Sequence, residues 1–176
     1  MKTRVRLYIY IPILVGFFMT SCLTKNNRTI SDFGEGWKFS LGNDSLFAQV
    51  PEFDDSRWKT LNLPHDWSIE GEFSESNPAT AGGGALPGGI GWYRKSFILP
   101  EIDTTKIVYI DFDGVYMNSE VWINGQYLGK RPYGYSSFRY NLTPFLHFGK
   151  ESNVLAVKVD NSDQPGRFSP AATILR

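Results

Sequence analysis

Apolar and polar positions alternate most clearly between Lys106 and Gly134, and this pattern predicts antiparallel strands. Apolar side chains occupy every second position from Val108 to Phe112. The same period returns from Ser119 to Ile123, where Glu120 and Trp122 fall on the opposite face. Asn124-Gly125 then precedes a third apolar run, and Asn-Gly between two strands is the strongest short signal for a hairpin with a type I′ turn. The stretch therefore predicts an antiparallel meander.

The rest of the chain predicts further short strands and two single helical turns. The additional strands are Phe33–Ser40, Leu61–Leu63, Trp92–Leu99, Phe138–Leu142 and Asn153–Asp160. One helical turn is predicted from Phe53 to Trp58, with an Asp as its cap and both aromatic rings packed inward. The other is predicted from Phe145 to Phe148, after a cap at Thr143 and a first-position proline at Pro144. Eight or so short strands without a long helix predict an all-β fold, an antiparallel β-sandwich of the jelly-roll type.

The first 22 residues have the pattern of an export signal. Lys2, Arg4 and Arg6 precede an apolar segment from Leu7 to Phe18, as in a signal peptide. Met19-Thr20-Ser21-Cys22 follows and resembles a bacterial lipoprotein junction, so lipidation of Cys22 is predicted, with membrane contact only through that anchor. An ordinary secretory signal with a chance cysteine is the alternative. Residues 23–32 are polar and are predicted to form a flexible tether.

Composition restricts the function of the part that remains. Its length suits one domain, and without a further cysteine no disulfide can stabilise it. Positive and negative side chains balance at 18 each, and no basic run follows the signal, which argues against nucleic acid as a partner. Aromatic residues make up 15% of the chain, and many lie in predicted loops beside amides and carboxylates. Such surfaces suit sugars, because flat rings meet their C–H faces while polar groups bond their hydroxyls.

The longest irregular stretch runs from Pro64 to Gly91 and contains seven glycines and three prolines. Loops of this length in a compact domain are usually functional or disordered. The glycines at 82–84 and 88–89 lead into the strand that begins at Trp92. A phosphate-binding loop opens a helix instead, so phosphate binding is not predicted.

His65, Asp66 and Trp67 form the candidate site at the start of this loop. In one interpretation Asp66 caps the loop backbone and Trp67 fills the core; in the other these side chains contact a ligand. A metal site is not predicted, because it would need further ligands at suitable spacing and the only other histidine, His147, lies beside a different turn. The loop acids Glu70, Glu72 and Glu75 are predicted to be solvated, since a glycosidase needs two rigidly held carboxyls, one of them with a raised pKa. No catalytic residue and no cofactor are therefore predicted.

An ordered series of motifs resembles the N-terminal domain of glycoside hydrolase family 2, from about residue 33 to residue 165. The motifs are Asp54-Asp55-Ser56-Arg57-Trp58, Leu63-Pro64-His65-Asp66-Trp67, Gly91-Trp92-Tyr93-Arg94-Lys95, Phe112-Asp113-Gly114-Val115-Tyr116-Met117-Asn118, Trp122-Ile123-Asn124-Gly125, Gly134-Tyr135-Ser136-Ser137-Phe138 and Val159-Asp160-Asn161-Ser162. The series is most like that of the β-galactosidase-like enzymes of Bacteroides-type bacteria. The resemblance implies a jelly-roll, galactose-binding-like sugar-binding domain.

The resemblance also implies where a sugar would be bound. In the family, this domain is followed by an immunoglobulin-like domain and a (β/α)₈ barrel that carries two catalytic glutamates, and its loops reach the rim of the active site. The predicted substrate-binding residues are Asp160 and Asn161 after the last strand, Asp66 in the long loop, and Asn77. The Lys106–Gly134 stretch is interpreted as scaffold. The predicted partners are a terminal β-galactoside or related glycan and the downstream domains of the same enzyme.

Residues 166–176 depart from the family pattern, in which Ser-Arg-Trp-Tyr-Ser-Gly and Ile-Tyr-Arg are typical at this place. We interpret this as a truncated or frameshifted end, which predicts a sugar-binding fragment of an exo-acting β-galactosidase-like hydrolase that is inactive without the barrel. One alternative is a stand-alone carbohydrate-binding lipoprotein whose binding depends on Trp67 or Trp92. The other is a structural β-sandwich that docks onto further domains through an exposed apolar face.

Overall fold

A computed structural model describes residues 28–42, 47–77 and 85–162. The chain divides into two units, residues 1–30 and residues 31–176. Of the first unit only residues 28–30 are described, and they are without regular secondary structure. The predicted signal with Cys22 and the divergent segment 166–176 lie outside the described residues. Within the described ranges, no helix has the length and hydropathy needed to cross a membrane.

The described part of the second unit contains eight strands. In chain order they are β1 (Trp37–Leu41), β2 (Lys59–Leu61), β3 (Ile90–Ile98), β4 (Tyr109–Phe112), β5 (Ser119–Ile123), β6 (Gln126–Arg131), β7 (Phe138–Asn141) and β8 (Ser152–Asp160). Short 3₁₀ helices span Trp67–Ile69, Glu101–Thr105 and Thr143–Phe145. The predicted all-β class is thus confirmed.

The strands form two antiparallel sheets. The larger has the order β2-β1-β3-β8-β5-β6, and the smaller pairs β4 with β7. The predicted meander is wrong at its first strand, because β4 lies in the smaller sheet while β5 and β6 form a hairpin in the larger one. Alternation shows that a strand has one buried face, but it does not show which strand lies beside it.

The main core lies between the two sheets. It is formed by one face of the large sheet and by Ile110, Phe112 and Phe138 of the small one. The large sheet contributes Trp37, Phe39, Tyr93, Val121, Ile123, Leu155, Val157 and Val159. A second, smaller cluster covers the opposite face of the large sheet, where Phe53 and Trp58 pack on Trp92, Ala156 and Trp122. The large sheet is therefore covered on both faces near its centre.

The turn at Asn124-Gly125 confirms the predicted hairpin. Both residues have positive φ, +49° and +78°, as a type I′ turn requires. The alternation of β5 is confirmed too, since Ser119, Val121 and Ile123 are buried while Glu120 and Trp122 are half-buried on the other face.

The predicted helical turn from Phe53 to Trp58 is wrong in its backbone and right in its packing. The Asp54 carboxylate accepts a hydrogen bond from the Ser56 backbone N–H at 3.0 Å, which is a side-chain-capped turn. Trp58 N–H then donates to the Asp55 carbonyl at 3.0 Å. The rings of Phe53 and Trp58 nevertheless pack together, with centroids 5.3 Å apart.

The second predicted helical turn is displaced by two residues. A 3₁₀ helix covers Thr143–Phe145 rather than residues 145–148, and Leu142 stands at its N-cap. Thr143 is not the cap because its hydroxyl accepts the Val108 N–H at 2.8 Å, which joins this helix to the residue before β4.

The first two strands also differ from their predicted limits. β1 begins at Trp37 rather than Phe33, since the Phe33 carbonyl accepts a hydrogen bond from the Trp37 indole N–H at 2.8 Å. β2 is Lys59–Leu61, and Leu63 lies beyond it, where its N–H donates to the Gly34 carbonyl at 2.8 Å.

Candidate functional site

Several loops meet at the end of the sandwich where β8 ends. Ile90, the first residue of β3, pairs with Asp160, the last residue of β8. At the same end of the sheet, Ser119, the first residue of β5, pairs with Arg131, the last residue of β6. We call this region the Asp160 end: residues 89–90, 114–119, 131–137 and 160–162.

Hydrogen bonds of both its backbone and its carboxylate hold Asp160 in place. Its N–H donates to the Met117 carbonyl at 3.0 Å, and its carbonyl accepts from the Asn118 amide at 3.2 Å. Its Oδ1 accepts from the N–H and the hydroxyl of Ser162, at 3.0 and 2.7 Å. The carboxylate is half-buried and has a fixed position beside three loops.

Asn161 is a clamp on the end of the long loop. Its Oδ1 accepts the Gly89 N–H at 2.8 Å, and its own N–H donates to the Gly89 carbonyl at 3.0 Å. The side chain is only 2% exposed. Burial and this pair of bonds favour a structural role, and a sugar contact by Asn161 stays a prediction.

Asp66 and Trp67 fit the structural interpretation of the loop. Asp66 is half-buried, and its Oδ1 accepts from the Ser68 N–H at 2.9 Å and from the Ser68 hydroxyl at 2.6 Å, which caps the 3₁₀ helix Trp67–Ile69. Trp67 is 5% exposed and stacks on Phe39, with ring centroids 5.8 Å apart. A Cβ on Gly91 would lie 3.0 Å from the Trp67 ring, so that glycine permits the packing. Trp67 is therefore a core residue, as the structural interpretation expects.

His65 is buried beside the same core and is linked to Tyr93. Its Nδ1 lies 2.8 Å from the Tyr93 hydroxyl, and its Nε2 lies 3.4 Å from the Glu70 carboxylate. Burial raises the pKa of Tyr93 well above its usual value, and the charges of Asp66 and Glu70 raise it further. The hydroxyl therefore stays protonated, and the pair anchors the loop to the sheet.

The loop acids have the environment predicted for them. Glu70 forms an ion pair with Lys59 at 2.6 Å, and this hydrogen bond lowers the pKa of Glu70. A general acid of glycoside hydrolysis needs the opposite shift. Glu72 and Glu75 are exposed.

Asn77 joins two parts of the long loop. Its amide donates to the Glu72 carbonyl at 2.8 Å and to the Ala85 carbonyl at 2.9 Å. Asn77 thus connects the described residues on either side of 78–84. As with Asn161, its direct contact with a sugar stays a prediction.

Of the four predicted sugar-binding residues, the structure joins Asp160 and Asn161 at one end of the sheet. Asp66 and Asn77 lie within the Pro64–Gly91 loop, whose last residues Asn161 clamps. In the described ranges no group of three or more His, Cys, Asp and Glu side chains could hold a metal ion. The tyrosines at 116, 133 and 135, which the sequence did not single out, also lie at the Asp160 end. Three tyrosines in short loops around Gly114 and Gly134 were the available signal.

The fold defines the chain as an antiparallel, galactose-binding-like β-sandwich, as predicted. The family follows from its sequence: residues 34–172 match the family described as "Glycosyl hydrolases family 2, sugar binding domain". The chain belongs to this family.

Individual relatives agree with this assignment. The chain is 61% identical over 138 residues to the beta-galactosidase BoGH2A of Bacteroides ovatus, a match that spans 78% of this chain and 16% of that protein. It is 38% identical over 143 residues to a beta-glucuronidase of Formosa agariphila, across 81% of this chain and 14% of the relative. A beta-glycosidase from Bacteroides vulgatus of known crystal structure superposes with a TM-score of 0.77 at 49% identity, over 83% of this chain and 19% of that one. The chain thus spans less than a fifth of the length of these relatives.

Proposed function

We propose that this chain is the sugar-binding domain of an exo-acting β-galactosidase-like glycosidase. Its 61% identity to a beta-galactosidase is the observation that carries the proposal. Hydrolysis of O-glycosyl bonds is assigned to a catalytic barrel, which this domain assists by binding the terminal sugar. The chain by itself is then inactive.

Asp160 is the residue proposed to bind the sugar. A carboxylate accepts hydrogen bonds from sugar hydroxyls, and bonds to charged groups are roughly twice as strong as neutral ones. Hydrogen bonds from the Asp160 backbone to Met117 and Asn118 hold this residue at the end of the sandwich. Asp66 and Asn77 support the neighbouring loop through their bonds to Ser68, Glu72 and Ala85.

The partners and the location belong to the same proposal. The glycan is a terminal β-galactoside or a related sugar, and the protein partners are the further domains of the same enzyme. Cys22 carries a lipid that anchors the exported protein to a membrane, with the domain in the periplasm or at the cell surface. Lys2, Arg4 and Arg6 before an apolar segment support export.

A domain exchange tests the proposed role. The corresponding domain of the Bacteroides ovatus enzyme is replaced by residues 33–165 of this chain, and hydrolysis of a nitrophenyl β-galactoside is measured. We expect activity in the chimera and none in the isolated chain. Asp160→Ala in the chimera should lower kcat/KM at least about tenfold, since a hydrogen bond to a charged group is worth roughly 1.5–3 kcal/mol.

Glu101→Ala provides the matched control for this exchange. Glu101 is an exposed carboxylate three residues after β3 ends, which is the opposite end of that strand from Ile90. A folded chimera without activity would contradict the proposed function. Equal kcat/KM for Asp160→Ala and Glu101→Ala would contradict the role given to Asp160.

The burial of aromatic side chains bears on both alternative functions. A stand-alone carbohydrate-binding protein was predicted to use Trp67 or Trp92, but both rings are buried, so neither can form its binding surface. A docking sandwich was predicted to expose an apolar face, and the segment around Phe53 and Trp58 instead covers the outer face of the large sheet near Trp92. If the domain itself binds glycans, the aromatic surface must lie elsewhere.

A further inference from the structure

We infer that Tyr116, Tyr133 and Tyr135 form a carbohydrate-binding platform at the Asp160 end. The inference rests on the proposed function and names the surface through which the domain meets the sugar. Tyr133 and Tyr135 are 64% and 51% exposed. Their ring centroids are 5.6 Å apart, and the Tyr135 ring lies 5.3 Å from the half-buried Tyr116 ring. The three rings are therefore contiguous.

Gly134 fixes the rings in place. It is buried between the two exposed tyrosines, and a Cβ there would lie 2.6 Å from the Cα and ring of Tyr116. A Cβ on Gly114 would in turn lie 2.9 Å from the Gly134 carbonyl. Two loops thus touch backbone to backbone at glycines, which fixes the relative position of the loops that carry the rings. A preformed surface loses little side-chain entropy on binding.

The platform is joined to the backbone of Asp160. Met117 and Asn118, the residues after Tyr116, form the two hydrogen bonds to the Asp160 backbone. Asn118 N–H also donates to the Pro132 carbonyl, at 3.2 Å, next to Tyr133. The loop from 116 to 118 therefore links the Tyr116 ring to the backbone of Asp160, the residue that carries the carboxylate.

The chemistry of this surface fits a sugar. Each ring ends in a hydroxyl, and the loop that carries Tyr116 is hydrogen-bonded to the backbone of Asp160. Tyrosine offers a flat apolar face together with a polar tip. A pyranose needs the same combination, because its C–H face is apolar while its hydroxyls form hydrogen bonds. The ligand class is a glycan that ends in a β-galactoside.

Calorimetric titration of the full purified chain with lactose and longer β-galactosides tests the platform. We expect binding by the unmodified chain. Tyr133→Ala and Tyr135→Ala should each weaken Kd about tenfold, which corresponds to about 1.4 kcal/mol. Tyr135→Phe should keep most of the affinity, because it keeps the flat ring. Tyr127→Ala is the matched control: it is 53% exposed but stands near the start of β6, at the opposite end of that strand.

The outcomes separate the platform from the proposed function. Thermal unfolding should be unchanged in the Tyr133 and Tyr135 variants, since both side chains are exposed. Binding that is equal in these variants and in Tyr127→Ala would overturn the platform, as would an unmodified chain that binds none of the galactosides. Activity of the domain-exchange chimera decides the proposed function separately. If Tyr133→Ala lowers only kcat in the chimera and leaves glycan binding intact, the surface docks onto another domain and the platform is overturned.

Discussion

Arg94 is a buried charged residue on the outer face of the large sheet. It is 2% exposed, and its guanidinium donates to the Asp55 carboxylate at 2.8 Å and to the Val50 and Pro51 carbonyls at 2.9 and 3.2 Å. It also donates to the Ala48 carbonyl. Five N–H donors in a planar fork can satisfy several acceptors at once. Arg94 therefore holds residues 48–55 against the outer face of the large sheet.

Replacing Arg94 with Met should destabilise the domain strongly. The substitution leaves buried carbonyls without donors and removes the partner of Asp55, and breaking a buried ion pair costs about 3–5 kcal/mol. We expect a loss near the lower figure, because Asp55 is partly exposed. Urea unfolding followed by tryptophan fluorescence measures this.

Arg139→Met is the control for that substitution. Arg139 also forms a pair with an aspartate, Asp111, but on the surface, where ion pairs contribute little. A loss for Arg139→Met as large as that for Arg94→Met would show that burial is not what makes Arg94 important.

At the scale of elements, the Pro64–Gly91 loop is anchored along its described length. Trp67 packs in the main core, Asn77 joins Glu72 to Ala85, and Asn161 clamps Gly89. The loop is thus rich in glycine, yet several of its residues are held in place by packing or hydrogen bonds. This arrangement suits a loop that presents side chains at the rim of a site.

Trp67→Ala tests whether the loop depends on its core anchor. Removing a buried aromatic ring typically costs about 3–5 kcal/mol, and we expect the free energy of unfolding to fall by that amount. Phe73→Ala is the control, since Phe73 is an exposed aromatic residue in the same loop. Equal stability of the two variants would contradict the placement of Trp67 in the core.

At the scale of the whole molecule, the domain is stable without a disulfide, because Cys22 is the only cysteine in the chain. Its stability comes from the core between the sheets and from the second cluster on the outer face.

Lipid attachment at Cys22 is testable in cells. We expect the full-length chain to incorporate a labelled fatty acid and to enter the detergent phase on partitioning, because a lipidated cysteine adds apolar chains. Cys22→Ser should abolish both, whereas Ser21→Ala should keep them. A mature protein that is secreted without label and begins at another residue would support an ordinary secretory signal instead.

Alternation and turn chemistry predicted much of the secondary structure from the sequence. The strands at Ser119–Ile123 and Ser152–Asp160 and the hairpin at Asn124-Gly125 agree with their predictions because period two and positive φ are local properties. The ordered motifs also identified the family, since each records a local requirement of the fold. The predicted ends of strands and helical turns were less accurate where a side chain accepts a hydrogen bond from the backbone, as the Thr143 hydroxyl does from the Val108 N–H.

Only the tertiary structure decided which segments meet. The sequence could not show that β4 leaves its neighbour β5 for the smaller sheet, or that Trp67 lies in the core. Asn161 and Gly89 are 72 residues apart, and no local pattern predicts the two bonds between them. The same holds for the tyrosines at 116, 133 and 135, which lie in or beside the predicted scaffold and whose rings the fold brings into contact. The physical reason is that burial and pairing depend on distant residues, whereas periodicity depends only on near ones.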